Sequence, residues 1–409
     1  MTDERLTHLA EVAPALWPAP HVTTVGRGTP PGAGATVAEF LLLPTSRRPR
    51  LLVPAGRRSS AAVVRRHGEG RGRAGRLVAT TLSAALRAGL GRVLWRERLH
   101  VGAPAGGATA TLAGHLSDVL GREVVLAMQL TPPRANRKPV LHLLDHDGRT
   151  LAFAKLGVDA LTDGLVRAES AALAELRRAP MPTVTAPDLL HAGRWHGHEL
   201  MVQAALPVES ARRPLTEARL VAAATEIAGL DRTDDVLLGT SPFWTDLTAR
   251  VGLLPPGAAT ERLRGLVDRL GDAARTTALS FGASHGDWAP WNMACLADQL
   301  LVWDWERFRR SVPVGFDLLH HALQQALVDR GEVPAEAALR LVDDAAARLA
   351  PLGIPSGSAL VTVSLYLADL ATRYLADAQL EAGAALGDVR TYLLPALDTG
   401  TGRLEGEPR

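Results

Sequence analysis

The apolar periodicity of this chain changes character once, and that change limits the folds open to it. Between Glu123 and Ala204, short apolar runs alternate with turn residues; from Leu215 onward, apolar residues recur every three or four positions. In the first stretch, residues 123–130, 140–144 and 150–156 read as strands, with Asp147-Gly148 as the hairpin turn between the last two. A helix over 162–178 follows, with Thr162 or Asp163 as its N-cap. A hairpin of 189–194 and 199–204 then completes a five-stranded antiparallel layer with one helix. Beyond it, 215–230, 241–253 and 260–277 read as amphipathic helices, and 315–330, 334–349 and 358–383 as three more. Strands first and helices after predict an α+β fold. The junction of such lobes is where a small ligand is expected.

The residues ahead of this pattern read differently. Residues 1–37 carry Pro30, Pro31, Gly32 and Gly34 and read as irregular. Strands at 38–43, 51–54 and 92–101 and helices at 59–67 and 76–90 then form a small basic α/β unit, with a Gly/Arg-rich break at 68–75 and a linker at 102–107. The expected division is therefore a basic N-terminal unit over 1–105, a strand lobe over 106–205, a helical lobe over 206–395 and a frayed tail over 396–409. Residues 1–115 hold sixteen arginines against six acidic residues, so an anionic partner for this unit is one reading and arginine-rich composition the other. No nucleic-acid partner is expected, because no helix-turn-helix, zinc or RNA-binding signature accompanies the charge. The apolar run 359–382 is interrupted by Asp369, Arg373 and Asp377 and reads as a buried helix rather than a transmembrane segment. The single cysteine, Cys295, leaves no internal disulfide, and the acidic start (Asp3, Glu4) is unlike a signal peptide; a cytoplasmic location is expected.

Two polar runs interrupt the helical half: Ser284-His285-Gly286-Asp287-Trp288-Ala289-Pro290-Trp291-Asn292 and Leu301-Val302-Trp303-Asp304-Trp305-Glu306. The second reads as a strand ending on a carboxylate, and Pro290 stiffens the loop that carries Asp287 and Asn292. Two carboxylates and an amide oxygen brought together are hard oxygen ligands of the kind Mg²⁺ takes alongside phosphate. Singly, each aspartate also reads as a turn former or cap. Lysine is the other sparse signal. Only Lys138 and Lys155 occur among 45 basic residues, which marks them as places needing a compact point charge.

Together these residues resemble the aminoglycoside phosphotransferase and choline kinase family, over about residues 110 to 390. The resemblance implies a protein-kinase-like two-lobed fold, with an antiparallel N-lobe and a mostly helical C-lobe preceded by the basic α/β unit. It implies a kinase that moves the γ-phosphate of ATP or GTP to a hydroxyl of a small molecule with Mg²⁺. By position, Asp287 is the general base, and Asn292 and Asp304 hold the metal. Lys155 meets the α- and β-phosphates, and Glu169, with Glu175 as its rival, pairs with that lysine. Backbone groups of Gln203–Ala205 bond the base. The phosphate-covering turn, Thr131–Pro139, has no glycine, so Arg134, Arg137 or Lys138 would reach phosphate by side chain. That departure also motivates the alternative of a non-catalytic kinase-like binding module. The four tryptophans at 288, 291, 303 and 305 read as packing residues or as a face for a cationic or sugar substrate. Asp317 reads as a helix cap, and His320, His321 and Cys295 as packing residues.

Overall fold

The computed structural model describes residues 4–27, 35–69, 73–103, 110–208 and 211–406. Pro30–Gly34, the middle of the break at 68–75 and most of the expected linker lie outside the described residues. The chain divides into two compact units, Met1–Ser170 with Pro187–Glu209 and Ala171–Ala186 with Ser210–Arg409.

The first unit opens with α1 (Glu4–Leu16) and β1 (Val22–Gly26), where irregular chain was expected. Pro14 lies inside α1 and removes one helical hydrogen bond. Burial outweighs that loss: His8, Leu9, Val12, Ala13 and Leu16 line one face. Trp17 then packs on Phe40 at 5.4 Å between ring centroids, and Trp195 Nε1 donates to the Ala15 carbonyl at 2.9 Å.

Next come β2 (Ala35–Leu43), β3 (Leu51–Pro54), α2 (Arg57–Glu69), α3 (Arg73–Arg87), the short α4 (Gly91–Leu94) and β4 (Arg98–Ala103). The strand expected over 92–101 thus begins only at Arg98. They are followed by α5 (Leu112–Leu120), β5 (Val125–Gln129), β6 (Val140–Leu144), β7 (Thr150–Leu156) and α6 (Ala160–Leu176). After β8 (Val184–Thr185), which pairs in the second unit, β9 (Leu189–Trp195) and β10 (His198–Ala204) complete the first. Asp147-Gly148 makes the β6–β7 turn as expected, with Gly148 at φ 85°.

Among the described residues, the nine strands of the first unit form one antiparallel sheet, in the order β1-β4-β2-β3-β5-β6-β7-β10-β9. The boundary expected near residue 105 does not divide it. Leu51 and Leu52 of β3 pair with Gln129 and Met128 of β5, so the basic segment and the five-stranded layer share one ladder. Side chains alternate faces along each strand. Phe40, Leu42, Leu52, Leu126, Met128, Leu141 and Leu143 face the α1 and α5 side. Leu41, Leu43, Val53, Ala127 and Leu144 join Val63, Val64 and Leu86 of α2 and α3 on the other.

The second unit is mostly helical. Its elements are α7 (Glu217–Ala228), β11 (Thr233–Leu237), α8 (Pro242–Gly252), α9 (Ala258–Ala274), β12 (Ala278–Ser284), β13 (Met293–Cys295), β14 (Leu300–Val302) and β15 (Arg309–Pro313). Then follow α10 (Phe316–Gln324), α11 (Pro334–Asp343), α12 (Ala345–Leu349), α13 (Ser356–Ala376) and α14 (Leu393–Gly406). Two small sheets, β11-β12-β15 and β13-β14-β8, carry the polar runs. Phe243 meets Phe316 edge-on at 5.5 Å, and Phe316 meets Tyr366 at 5.6 Å, an arrangement worth about 1 kcal/mol per pair beyond burial. Helix α13 is long and apolar enough to cross a membrane, and it lies in this core, with Leu365 and Leu367 fully buried. The tail expected to fray is helix α14. Leu393, Leu394 and Leu397 are buried, and Arg269 bonds Asp398 and Glu405, each at 2.8 Å.

Candidate active site

Strand β12 delivers the chain to His285-Gly286-Asp287. The turn requires glycine: Gly286 has φ 78°, and a Cβ there would lie 2.3 Å from the Arg307 carbonyl oxygen. Asp317, in the first turn of α10, fastens this loop. One carboxylate oxygen accepts from Ser284 Oγ at 2.8 Å and the Gly286 N–H at 3.1 Å, and the other from the His285 N–H at 2.9 Å. The expectation that Asp317 caps its own helix is therefore corrected. Gly315 occupies the N-cap position with no side-chain cap, and Asp317 grips the preceding loop.

His285 ties that loop to the second polar run. Its Nδ1 accepts the Asp287 N–H at 3.1 Å, so Nε2 carries the proton and donates to the Trp303 carbonyl at 3.2 Å. The ring lies against Trp288 and Trp305, both fully buried. Burial lowers its pKa against the opposing pull of Asp317, Asp287 and Asp304, which suits a neutral ring used as a bracket.

Asn292 and Asp304 stand at one end of the β13–β14 ladder. Met293 pairs with Val302, and the Trp303 N–H donates to the Asn292 carbonyl at 3.0 Å. The Asn292 amide nitrogen donates to Asp287 Oδ2 at 2.9 Å and to the Asp287 carbonyl at 3.0 Å, which turns its own Oδ1 into the available acceptor. Asp304 has φ 73° and ψ 52°, a left-handed conformation that aspartate tolerates better than most residues. An amide oxygen and a carboxylate at the end of one hairpin form an oxygen donor set that fits Mg²⁺.

Asp287 is engaged from both sides. While Asn292 holds Oδ2, Oδ1 accepts from His320 Nε2 of α10 at 3.1 Å, and His320 Nδ1 meets the Tyr366 hydroxyl of α13 at 3.0 Å. Arg373 of α13 donates to the Gly286 carbonyl at 2.6 Å. Burial alone would raise the Asp287 carboxyl, but the His320 hydrogen bond and the Arg373 charge hold it well below the usual carboxylate range. His320, expected only to pack, thus touches the candidate base. Arg373 reads from the sequence only as a charge that interrupts an apolar run, and Tyr366 as part of that run, although the sequence does carry a signal. Tyr366, Asp369 and Arg373 fall on one face, three and seven residues apart, of an otherwise apolar helix. Asp369 uses that face to hold Arg250 and Arg309, each at 2.6 Å. His321 and Cys295 are buried as expected. Of the four tryptophans, only Trp291 is exposed, at 43%.

In the first unit, Lys155 Nζ donates to both Glu169 oxygens at 2.6 Å, with both residues buried. By alternation, Lys155 shares its strand face with Phe153, which stacks on His142 at 4.8 Å. The rival Glu175 pairs instead with Arg310 in the second unit. Gln203 is buried with its Oε1 lacking a partner among the described residues, and the neighbouring Ala204 N–H is taken by the Asp188 carbonyl at 2.8 Å; Ala205 follows the strand end. In the 131–139 turn, Arg137 is drawn inward to Glu11 of α1 at 3.7 Å and the Thr131 carbonyl at 3.3 Å, Arg134 is exposed and Lys138 is half-buried.

No family model matches the chain, and no curated protein matches it. Solved structures of small-molecule kinases are similar to it. A thermostable mutant of aminoglycoside phosphotransferase APH(4)-Ia in its apo form is 14% identical over 72% of this chain and 100% of that one, with a TM-score of 0.46. The ternary complex of such a mutant with ADP and hygromycin B is 12% identical over 73% and 100%, with a TM-score of 0.45. A choline/ethanolamine kinase family protein from Mesorhizobium loti is 13% identical over 68% and 89%, with a TM-score of 0.37. At these scores the likenesses carry no weight in assigning an activity, which rests on the residues above.

Proposed function

We propose that this protein is a phosphotransferase that moves the γ-phosphate of ATP or GTP to a hydroxyl group of a small molecule. The observation that carries the reading is the Asp287 carboxylate held by Asn292 and His320, with Asn292 and Asp304 at one end of the β13–β14 hairpin. Asp287 takes the proton of the acceptor hydroxyl as the oxygen bonds to the γ-phosphorus. The bond from that phosphorus to the β–γ bridging oxygen breaks, and the nucleoside diphosphate leaves. Phosphoryl transfer through a loose transition state demands little activation of the nucleophile, so a weakly basic carboxylate suffices if well aimed. Asn292 Oδ1 and Asp304 would hold Mg²⁺, which when bound offsets phosphate charge. Lys155, oriented by Glu169, is assigned to the α- and β-phosphates. Arg134 and Lys138 of the turn are assigned to add charge at the phosphates, and backbone groups near Gln203 and Ala205 are assigned to the base.

The test is a thermal-shift titration with Mg·ATP and Mg·GTP, followed by ADP or GDP release across a panel of hydroxyl compounds. A ligand that binds the folded state raises its melting temperature. Asp287→Ala is expected to keep that shift and lose roughly 10²–10⁴-fold in turnover. No shift at millimolar nucleotide refutes the phosphotransferase reading and favours the non-catalytic kinase-like module that the glycine-free turn suggests, whereas turnover with any acceptor refutes that module.

A further inference from the structure

We propose that His320 is the positioning residue of the proton-accepting carboxylate, with Tyr366 setting the tautomer in which it acts. The inference rests on the phosphotransfer reading and deepens it.

A carboxylate on a two-bond side chain rotates freely unless both oxygens are held. Asn292 occupies one Asp287 oxygen at 2.9 Å and His320 the other at 3.1 Å. A carboxylate oxygen only accepts here, so His320 Nε2 must carry the proton. Its other nitrogen then receives the Tyr366 hydroxyl at 3.0 Å, and Tyr366 is only 4% exposed. His320 itself is 2% exposed and meets Tyr366 ring edge to face at 6.0 Å, so the imidazole cannot swing away. The bracket therefore runs from the core helix α13 through α10 to the loop, and each donor is fixed by packing. Asp287 keeps one lone pair per oxygen free of these bonds, and their directions are set.

A carboxylate with both oxygens fixed in this way can serve as the acceptor. Its contribution is direction rather than basicity, and a misaimed acceptor loses rate even when substrate still binds.

Three variants, each assayed for ADP release from Mg·ATP with the best acceptor from the hydroxyl panel, test the proposal. His320→Leu removes the donor at nearly constant volume and is expected to lower kcat about 10–100-fold while the KM for ATP stays within about twofold. His320→Gln restores an N–H at similar reach and is expected to recover most of that loss. Tyr366→Phe deletes one hydroxyl with the ring retained and is expected to lower kcat about three- to tenfold. A purely structural role would lower melting temperature and activity together and would not be rescued by glutamine; that pattern overturns the proposal. Wild-type turnover with an unchanged His320→Leu variant overturns it alone. Absence of wild-type turnover removes the phosphotransfer reading, and this role with it.

Discussion

Replacing Asp317 by asparagine tests the architecture of the loop that carries Asp287 most directly. The carboxylate accepts two backbone N–H groups and one hydroxyl, all buried or nearly so. Asparagine keeps one oxygen and places an NH₂ where the other stood. If the oxygen stays on Ser284 and Gly286, the new NH₂ faces the His285 N–H, donor against donor. A buried donor left without an acceptor costs about 1–3 kcal/mol. Losing a charge-assisted bond adds to this, as does losing a negative charge in the first turn of α10, worth about 0.3–1 kcal/mol. The expected destabilisation of the second unit is therefore about 2–4 kcal/mol, at the upper end of what a single substitution does. Urea unfolding followed by tryptophan fluorescence reads it out, since Trp288 and Trp305 pack on His285 beside the loop. A denaturation midpoint for Asp317→Asn equal to that of the wild type would refute the claim that this residue fastens the loop. A midpoint shift with undiminished turnover would show that the fastening is not needed for chemistry.

Gly286→Ala should be at least as damaging, because a methyl group at φ 78° meets the Arg307 carbonyl at 2.3 Å; recovery of soluble, active protein at wild-type yield would contradict this. Lys155→Met leaves Glu169 buried without its cation and should cost the first unit about 3–5 kcal/mol. The double variant with Glu169→Leu should regain most of that stability yet show no melting shift with Mg·ATP, as calorimetry will tell. Burial lowers the pKa of His8 to about 4 and that of His142 to about 3, each assisted by a nearby arginine. The unfolded chain therefore takes up protons first as pH falls below about 6.5, and each histidine withdraws up to ~1.4 kcal/mol per pH unit until its folded pKa is reached. Urea midpoints measured between pH 7 and 5 should fall accordingly, and a flat profile would count against buried neutral rings.

Legibility in the sequence tracked how local each cause was. The β6–β7 hairpin was visible because Asp147-Gly148 specifies its own turn. Lys155 stood out because arginine fills nearly every other cationic position, and Glu169 followed from its place in the helix after it. Helix α1 was hidden by Pro14, whose local penalty is outweighed by contacts with Phe40 and Trp195 far along the chain. Helix α14 was hidden by its Gly and Thr content, although Arg269 holds it from a distant segment. His320 sits among apolar residues of α10, where a histidine looks like core; only the approach of Asp287 gives it a task. Asp317 carried a misleading local cue, since an acid in a first helical turn suits the helix dipole whether or not it also reaches backward.

The shared nine-stranded sheet decides what kind of object the arginine-rich segment is. A module that could be clipped off would leave β5 as a finished edge, yet β5 lies mid-sheet between β3 and β6. Cutting near residue 105 would bare the row of main-chain groups that β3 now satisfies, together with the leucine faces beneath α1 and α2. Such an edge recruits other chains. Deletion of this segment would therefore yield aggregates rather than a smaller folded protein. Any anionic partner of its arginines is better sought by reversing charges on the intact protein.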